Sequence, residues 1–291
     1  MRTSGRRRAS TVLLAVTEYA VMYGWALFVL FPFVWIISLS LRKTQAVYTA
    51  LFFQRLDEVT LENYYYLFRG QFPYRNIQVF FMNALGNSVV VTMLALVGVL
   101  IVSILAAYAF SQIKFFGRGP LFYFLLAGMM IPVQVVMLPL FKIVRLLALQ
   151  NGLASIILPY IAIGTPLSVF LFTAFFKHLP DALIEAARLE GASHFQVLTR
   201  IILPLSKPVI GANVILQFMF IWNEFPLALV LLQKASLYTL PIEVTKVQGQ
   251  YMTPWNIVST AVMAAILPVI AVYLLFQRQF VSGITAGAIK Q

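Results

Sequence analysis

Between two long apolar runs, residues 177–207 read KHLPDALIEAARLEGASHFQVLTRIILPLSK. This stretch carries too many polar and charged side chains to be buried in lipid. It does carry the signals of a helix, because Pro180 suits a first helical position with Asp181 in the first turn. Gly191 suits the residue just past the helix end. The segment therefore predicts a short helix outside the bilayer.

A second helix start follows directly. Ser193 and Gln196 have the spacing of a capping box, and Pro204 is expected to end the helix that they open. Residues 177–207 are thus predicted to form a helix-turn-helix hairpin with one surface low enough for another protein's backbone to approach. The small residues of that surface are Ala186, Ala187, Gly191 and Ala192. A docking plug and a simple connector between spans fit these residues equally well.

The composition of the chain is that of a membrane protein. Its 291 residues are 61% hydrophobic and 10% charged, whereas soluble domains carry about 25% charged residues. The net charge of +12 does not indicate nucleic acid, because the basic residues lie in short segments between apolar runs. Cysteine is absent, and His178 and His194 lack the spacing of a helical metal pair, so no metal site is predicted.

Six apolar segments are long enough to cross a bilayer as helices, which takes roughly 20 residues each. They are residues 19–41, 84–110, 120–141, 153–176, 208–232 and 256–276. We therefore predict an all-α, polytopic membrane domain over residues 19–276, after a basic N-terminus at 1–18 and before a C-terminal tail at 277–291. Prolines in the third, fourth and sixth spans predict kinks.

The distribution of basic residues predicts an orientation. Four arginines lie within the first eight residues, and Lys114 and Arg118 lie in the short loop before the third span. Because the positive-inside rule weights short loops, both termini and the hairpin are predicted to be cytoplasmic. On the opposite side, the segment 42–83 places acidic residues beside an aromatic run, which fits a short interfacial helix and an ordinary loop equally well.

The spacing of residues along the hairpin resembles the loop motif of permease subunits in ABC importers. The matching residues are Glu185, Ala186, Ala187, Gly191, Ile201, Leu203 and Pro204. The complete motif, with this spacing and between two spans, is highly specific. It favours a docking hairpin over a simple connection between spans. The resemblance covers nearly the whole chain and narrows to the carbohydrate-uptake branch, specifically the second, MalG-like permease of a heterodimeric pair. Its other supports are Asn87-Ser88, Trp222-Asn223-Glu224, Thr239-Leu240-Pro241 and the ending at 277–290.

This resemblance implies a type I ABC importer permease fold in the bacterial cytoplasmic membrane. It implies four partners: a second, MalF-like permease subunit, an ATPase subunit dimer, an extracytoplasmic solute-binding protein and the lipid bilayer. The ATPase-coupling residues would be Glu185, Ala186, Ala187, Gly191 and Ala192, and tail contacts with the ATPase would involve Gly283, Gly287 and Lys290. No phosphate-binding loop occurs in the sequence, so ATP and Mg are expected on the partner ATPase, with no cofactor on this chain and no enzymatic activity of its own.

The fifth predicted span carries a polar stripe. Positions 213, 217 and 224 fall within about 40° of one another around a helix. A carboxylate at this depth costs roughly 2.5–3.5 kcal/mol, so Glu224 should face the bundle interior, a partner or water. The candidate pathway residues are Asn213, Gln217, Trp222, Asn223, Glu224 and Asn87. Amides can bind sugar hydroxyls, but polar residues in spans also join helices to one another, and both interpretations stay open.

The solute itself is not named by these residues. A permease for glycerol 3-phosphate or another polar solute is the alternative to one for a disaccharide or oligosaccharide. An ion-coupled secondary transporter would also have apolar spans and a buried carboxylate, but it would need neither the spaced hairpin motif nor a separate ATPase.

Overall fold

The computed structural model describes residues 3–43, 47, 59–70, 80–247 and 254–288. Within these residues every regular element is a helix, and the only β-type pairing is an isolated bridge between Arg42 and Val59. The predicted all-α class is therefore confirmed. The chain divides into two compact units, one of residues 1–79 with 247–264 and one of residues 80–246 with 265–291.

The first unit contains α1 (Thr3–Ser40), α2 (Glu62–Arg69) and the beginning of α13 (Trp255–Ala288). Residues Ala15–Ser40 of α1 are long and apolar enough to cross a membrane, with a mean hydropathy of 2.1. No part of the most apolar window of α1 is buried within this chain. Its side chains must therefore be covered by lipid or by another protein.

A buried polar cluster joins the three helices of this unit. The Nδ2 atom of Asn63 donates to the carbonyl oxygens of Ser40 at 2.9 Å and Arg42 at 2.8 Å. Asn256 donates to Oδ1 of Asn63 at 3.1 Å, and Thr260 donates to the carbonyl oxygen of Ser40 at 3.1 Å. Because buried polar groups need such partners, these bonds fix where α2 lies relative to the end of α1.

The second unit holds the remaining helices. They are α3 (Phe81–Gln112), α4 (Arg118–Ala127), α5 (Val133–Leu146), α6 (Ala154–Phe176), α7 (Asp181–Leu189), α8 (His194–Val197), α9 (Leu203–Leu205), α10 (Lys207–Asn223), α11 (Pro226–Leu231) and α12 (Leu240–Lys246). A one-turn 3₁₀ segment, Gly128–Met130, follows α4, and a π-helical turn, Leu198–Ile202, links α8 to α9. Among the described residues, four helices can each cross a membrane, and two bent helix pairs raise the number of candidate spans to six.

The third predicted span, 120–141, is broken rather than kinked. The segments Arg118–Met130 and Val133–Leu146 meet at 102°. Pro132 lacks an amide hydrogen, and its ring forces Ile131 into an extended conformation with ψ 117°. The other prolines of the third, fourth and sixth predicted spans lie inside continuous helices. They are Pro139, Pro159, Pro166 and Pro268.

The fifth predicted span, 208–232, also differs from a single helix. Helix α10 ends at Asn223, Glu224 has an extended ψ of 126°, and α11 begins at Pro226. The break follows from Pro226, which cannot donate the backbone hydrogen bond that would continue α10. A further bend of 78° separates the end of the hairpin from α10.

The sixth predicted span and the C-terminal tail form one helix. Helix α13 has 34 residues and continues from Trp255 to Ala288 without a break at position 277. A helix of this length extends about 51 Å, which exceeds the ~30 Å of bilayer hydrocarbon. The predicted tail therefore begins as a continuation of the span, and Lys290 lies outside the described residues.

Candidate functional site

The first helix of the hairpin ends in the geometry that its sequence predicts. Gly191 has φ 86°, in the left-handed region where glycine is favoured. Its amide donates to the carbonyl oxygen of Arg188 at 3.0 Å, and the amide of Ala192 donates to that of Ala187 at 2.9 Å. At the other end, Pro180 is the residue before α7 rather than its first residue, a shift of one position.

The second helix of the hairpin begins with the predicted capping box. The amide of Gln196 donates to Oγ of Ser193 at 3.3 Å, and the amide of Ser193 donates to Oε1 of Gln196 at 2.8 Å. Helical structure continues through Pro204 to Leu205, so the predicted end at Pro204 is one residue early. A π-helical turn, Leu198–Ile202, ends two residues before Pro204.

The hairpin is seated on the ends of α3 and α6 by an apolar cluster. Its buried members on α6, α7 and the second hairpin helix are Phe172, Phe176, Ile184, Val197, Leu198 and Ile202. The rings of Phe172 and Phe176 stack at 6.1 Å. Burial of one apolar side chain of this size stabilises the fold by about 1.5–3 kcal/mol. The hairpin is therefore packed as part of the helix bundle and is not a loose loop.

A polar contact that the sequence did not reveal fastens the hairpin to α3. The hydroxyl of Tyr108 and Nδ1 of His194 share a hydrogen bond of 2.8 Å, and their rings meet edge to face at 5.9 Å. Arg188 approaches the same nitrogen at 3.4 Å. His194 is exposed, and through this bond it connects the second hairpin helix to the end of α3.

The small residues of the hairpin divide into two groups. Glu185, Ala186 and Gly191 are exposed, whereas Ala187 and Ala192 are half-buried against the apolar cluster. Large apolar side chains flank the exposed group, and these are Leu183, Leu189 and Phe195, exposed by 48%, 90% and 69%. An uncovered apolar surface of this kind on a polar hairpin is typical of a protein-binding site.

Two amide side chains of the predicted stripe lie buried in α10. Nε2 of Gln217 donates to the carbonyl oxygen of Gly164 at 3.1 Å and to Oγ of Ser168 at 3.0 Å. Neither the Oε1 atom of Gln217 nor either amide atom of Asn213 meets a hydrogen-bond partner among the described residues. A Cβ on Gly164 would lie 2.6 Å from Oε1 of Gln217, so a larger residue there would displace the Gln217 amide.

Gln217 also lines a cavity of about 430 Å³. The cavity lies between α5, α6, α10 and the break that follows α4. Gln217 supplies the only polar side chain of its lining within the described residues, and the rest is apolar, including Phe220 and Leu167. Backbone that leaves a helix at membrane depth is tolerated where it lines such a space.

Glu224 is used as a helix cap. Its Oε1 accepts a hydrogen bond from the amide of Leu227 at 2.7 Å, and its Oε2 accepts one from the amide of Ala228 at 3.0 Å. The hydroxyl of Tyr160 donates to Oε2 at 2.6 Å. The carboxylate therefore satisfies the free amides at the start of α11, which is where the helix dipole favours a negative charge.

Two of the remaining candidate pathway residues, Asn87 and Trp222, bond to distant parts of the chain. Asn87 donates to the carbonyl oxygens of Ser236 at 2.8 Å and Tyr238 at 3.0 Å, which ties the loop after α11 to α3. The indole nitrogen of Trp222 donates to the carbonyl oxygen of Ala265 at 3.1 Å, and its ring stacks on Phe218 at 5.4 Å. Asn223 is exposed and its amide bonds within its own helix.

Comparison with known sequences identifies relatives along almost the whole chain. Residues 98–285 match the family described as binding-protein-dependent transport system inner membrane component. The arabinooligosaccharides transport system permease protein of Bacillus subtilis is 33% identical, with 97% of both chains covered. The trehalose transport system permease protein of Mycobacterium tuberculosis is also 33% identical, with 98% of this chain and 99% of the relative covered.

Comparison with solved structures identifies the same architecture. One chain of a bacterial ABC transporter involved in the import of the acidic polysaccharide alginate superposes with a TM-score of 0.80. The superposition covers 93% of this chain and 98% of that chain, at 23% sequence identity. The type I importer permease fold predicted above is therefore confirmed.

Proposed function

Because the chain belongs to the family of binding-protein-dependent transport system inner membrane components, we propose that it is a permease subunit of an ATP-driven importer for a disaccharide or oligosaccharide. The observation that carries this proposal is the hairpin, which is packed firmly against the bundle and presents an exposed surface of small and apolar residues. The carbohydrate class rests on the sugars named for its relatives.

The hairpin is the point at which force enters the bundle. In this proposal a separate ATPase subunit dimer binds ATP and Mg, and one ATPase subunit contacts Glu185, Ala186 and Gly191. Ala187 and Ala192 support that surface from inside, since both are packed against the apolar cluster. ATP drives transport only by favouring one conformation of the permease over the other, so the hairpin must move together with the helices on which it is seated.

The chain acts as one half of a permease pair. Helix α1 leaves its apolar side chains uncovered, which supports a second, MalF-like subunit or lipid against it. The two termini and the hairpin face the cytoplasm, in agreement with the basic residues near them. The opposite side of the membrane receives an extracytoplasmic solute-binding protein. On the cytoplasmic side, the end of α13, which includes Gly283 and Gly287, extends toward the ATPase.

The buried amides of α10 are proposed as solute contacts. Gln217 lines a cavity, and Asn213 lies one helical turn away. The unpaired amide atoms of both residues are buried in this structure, so in this proposal they reach solute when α10 moves relative to α6. Sugar hydroxyls present both donors and acceptors, which such amides can bind. Glu224, Trp222 and Asn87 serve this pathway by holding its frame, since each is bonded to the backbone of another segment. Asn223 is exposed and remains a candidate contact for solute.

Substitution of Gly191 by glutamate tests the coupling role. No atom lies within 4 Å of a Cβ at Gly191, so the bundle has space for the side chain, although the φ of 86° strains any residue other than glycine. An ATPase seated on that surface would leave no such space. We expect solute uptake by the complex in proteoliposomes to be lost while solute-binding-protein docking is kept.

Gly117 provides a matched control. It also has a positive φ, 79°, and open space around its Cβ position. Gly117→Glu should retain most uptake, which separates a lost docking surface from backbone strain. Full ATP-dependent uptake by Gly191→Glu would overturn the proposal.

The solute class has its own test. The solute-binding protein purified with the complex should show a raised melting temperature with a disaccharide or oligosaccharide, because a ligand that binds the folded state stabilises it. A raised melting temperature with glycerol 3-phosphate alone would replace the carbohydrate class and leave the coupling mechanism intact.

A further inference from the structure

The loop between α3 and α4 presents a phenylalanine at its tip. The amide of Arg118 donates to the carbonyl oxygen of Phe115 at 3.4 Å, and Gly117 has a φ of 79°. This is the pattern of a tight turn in which glycine takes the left-handed position. Phe116 precedes that glycine and is fully exposed. The turn therefore holds a large apolar ring away from the helix bundle.

Aromatic rings behind this turn connect the ends of three helices. The ring centroid of Phe110, near the end of α3, lies 5.9 Å from that of Phe115 and 5.4 Å from that of Phe122 in α4. Phe122 lies about one helical turn after Arg118, on the same side of α4. Directly after the end of α6, Nζ of Lys177 lies 5.8 Å from the ring centroid of Phe122. The ends of α3 and α6 and the beginning of α4 therefore lie at one level.

That level is where three membrane crossings begin or end. Helices α3 and α6 are each long and apolar enough to cross a membrane, and α4 begins a bent pair that is also apolar enough to cross. Helix α3 ends at Gln112, α6 ends at Phe176 and α4 begins at Arg118. Polar headgroups replace hydrocarbon at such a boundary. The side chains around the turn therefore lie at the depth of the lipid headgroups.

Basic side chains surround this boundary without acidic ones. Lys114 and Lys177 are exposed, and Arg118 is half-buried with its Nη1 donating to the carbonyl oxygen of Ile113 at 3.3 Å. The sequence has no aspartate or glutamate at positions 63–180. In the part of the chain that the structure describes, none of the three basic residues takes part in an ion pair. Their combined charge favours an anion, and the anion available at headgroup depth is a lipid phosphate.

We propose that this boundary is a binding site for an anionic phospholipid in the leaflet in which α3 ends. Arg118 and Lys177 contact the headgroup phosphate, for which the planar guanidinium and the compact ammonium are both suited. Phe116 lies beside the upper part of the acyl chains, and Lys114 adds positive charge at the edge. The site goes beyond the transport function and requires only that α3, α4 and α6 lie in a membrane.

The test uses the full transporter complex in phosphatidylcholine liposomes. Phe116→Trp places an indole at the tip of the turn. A fixed fraction of the lipid is replaced by phosphatidylglycerol or by phosphatidylcholine, in each case brominated close to the headgroup, because bromine quenches tryptophan fluorescence on contact. The unsubstituted complex gives the background from the other tryptophans. We expect brominated phosphatidylglycerol to quench the new tryptophan severalfold more strongly than brominated phosphatidylcholine.

Neutral variants in the Phe116→Trp protein test the basic residues. Arg118→Gln combined with Lys177→Gln should lower quenching by brominated phosphatidylglycerol to the level of brominated phosphatidylcholine. Quenching by brominated phosphatidylcholine should not change, which would show that the turn still reaches lipid. Lys142→Gln is the matched control, because it removes an exposed lysine near the end of α5 and should keep the difference between the two lipids.

Three outcomes would overturn the site. Equal quenching of Phe116→Trp by the two lipids would show that the headgroup is not selected. Quenching by neither lipid would place the turn in water or against a partner protein. A lipid preference that survives the loss of both Arg118 and Lys177 would show that these residues do not bind the phosphate. Because none of these measurements depends on transport, each outcome is independent of the coupling and solute proposals.

Discussion

The hairpin and the end of α10 are both polar regions in an apolar chain, but they are held in different ways. In the hairpin, Ser193 and Gln196 bond to each other across three residues. At the end of α10, Glu224 is bonded to Tyr160, which lies 64 residues earlier in the chain, and Gln217 is bonded to Gly164 at a separation of 53. The hairpin is therefore shaped mainly by neighbours, and the end of α10 by distant partners.

Because of this difference, the hairpin can move as a unit, whereas α10 can move only if its hydrogen bonds to distant residues break. The hairpin keeps its own caps and can shift as one body with α3 and α6. The end of α10 is bonded across to α6, so any movement of α10 relative to α6 disturbs these bonds. Three substitutions test this comparison, in order of decreasing effect.

Removal of the Glu224 carboxylate should have the largest effect. Glu224→Ala leaves two amides of α11 without their cap and the hydroxyl of Tyr160 without its acceptor. Loss of a cap and of a buried acceptor together should lower the free energy of unfolding by about 2–4 kcal/mol. The measurement is the denaturant midpoint of the purified complex in detergent.

Glu224→Gln is the matched variant, because its single amide oxygen can replace one carboxylate oxygen as acceptor. It should retain part of the stability that Glu224→Ala loses. If Glu224→Ala were as stable as the unsubstituted protein but unable to transport, the carboxylate would act on solute rather than on the helix.

Gly164 tests the contact between α6 and α10. In Gly164→Ala the new methyl group meets Oε1 of Gln217 at 2.6 Å and Cγ2 of Val99 at 3.0 Å. Overpacking of this kind costs about 1–3 kcal/mol, and we expect uptake to fall because Gln217 is displaced. The measurements are the denaturant midpoint and uptake in proteoliposomes.

Gly128 is the control for this substitution because it lines the same cavity. No atom lies within 4 Å of its Cβ position, and its φ is −58°. Gly128→Ala should leave stability and uptake nearly unchanged. Equal losses in the two variants would indicate that the cavity, and not the bond to Gln217, is what transport requires.

A feature can be predicted from the sequence when the residues that form it lie close together in the chain. The left-handed Gly191 and the Ser193 capping box depend on residues a few positions apart, so their signals stand together in the sequence and both are confirmed. The apolar segments predict the all-α class for a similar reason, since each helix satisfies its own backbone. Predicting these features requires no knowledge of which helix packs against them.

The features that escaped prediction depend on partners far away in the chain. A proline such as Pro132 indicates a disturbed helix, but the angle of 102° depends on what packs on each side. The cap formed by Glu224 exists because Pro226 breaks the helix two residues later. Pro226 was therefore a local signal for this break in the sequence. No local pattern pairs Tyr108 with His194, because 86 residues separate them.

Tyr108→Phe removes the long-range hydrogen bond that the described residues give the hairpin, and it should have the smallest effect. It removes a single hydrogen bond of 2.8 Å to His194 and keeps the edge-to-face ring contact. One such bond contributes about 0.5–1.5 kcal/mol, while the apolar cluster continues to seat the hairpin. We therefore expect a small drop in the denaturant midpoint and a modest rise in the number of ATP molecules used per solute imported.

A double-mutant cycle assigns this effect to the bond. Tyr108→Phe combined with His194→Ala should lose less stability than the sum of the two single losses, because each single variant already removes the bond. Tyr123→Phe, at a tyrosine that is 72% exposed, controls for loss of a hydroxyl as such. Strictly additive losses would show that Tyr108 and His194 act separately. In that case the hairpin is fastened by its apolar cluster and its local caps, and force from the proposed ATPase partner would reach α3 through packing.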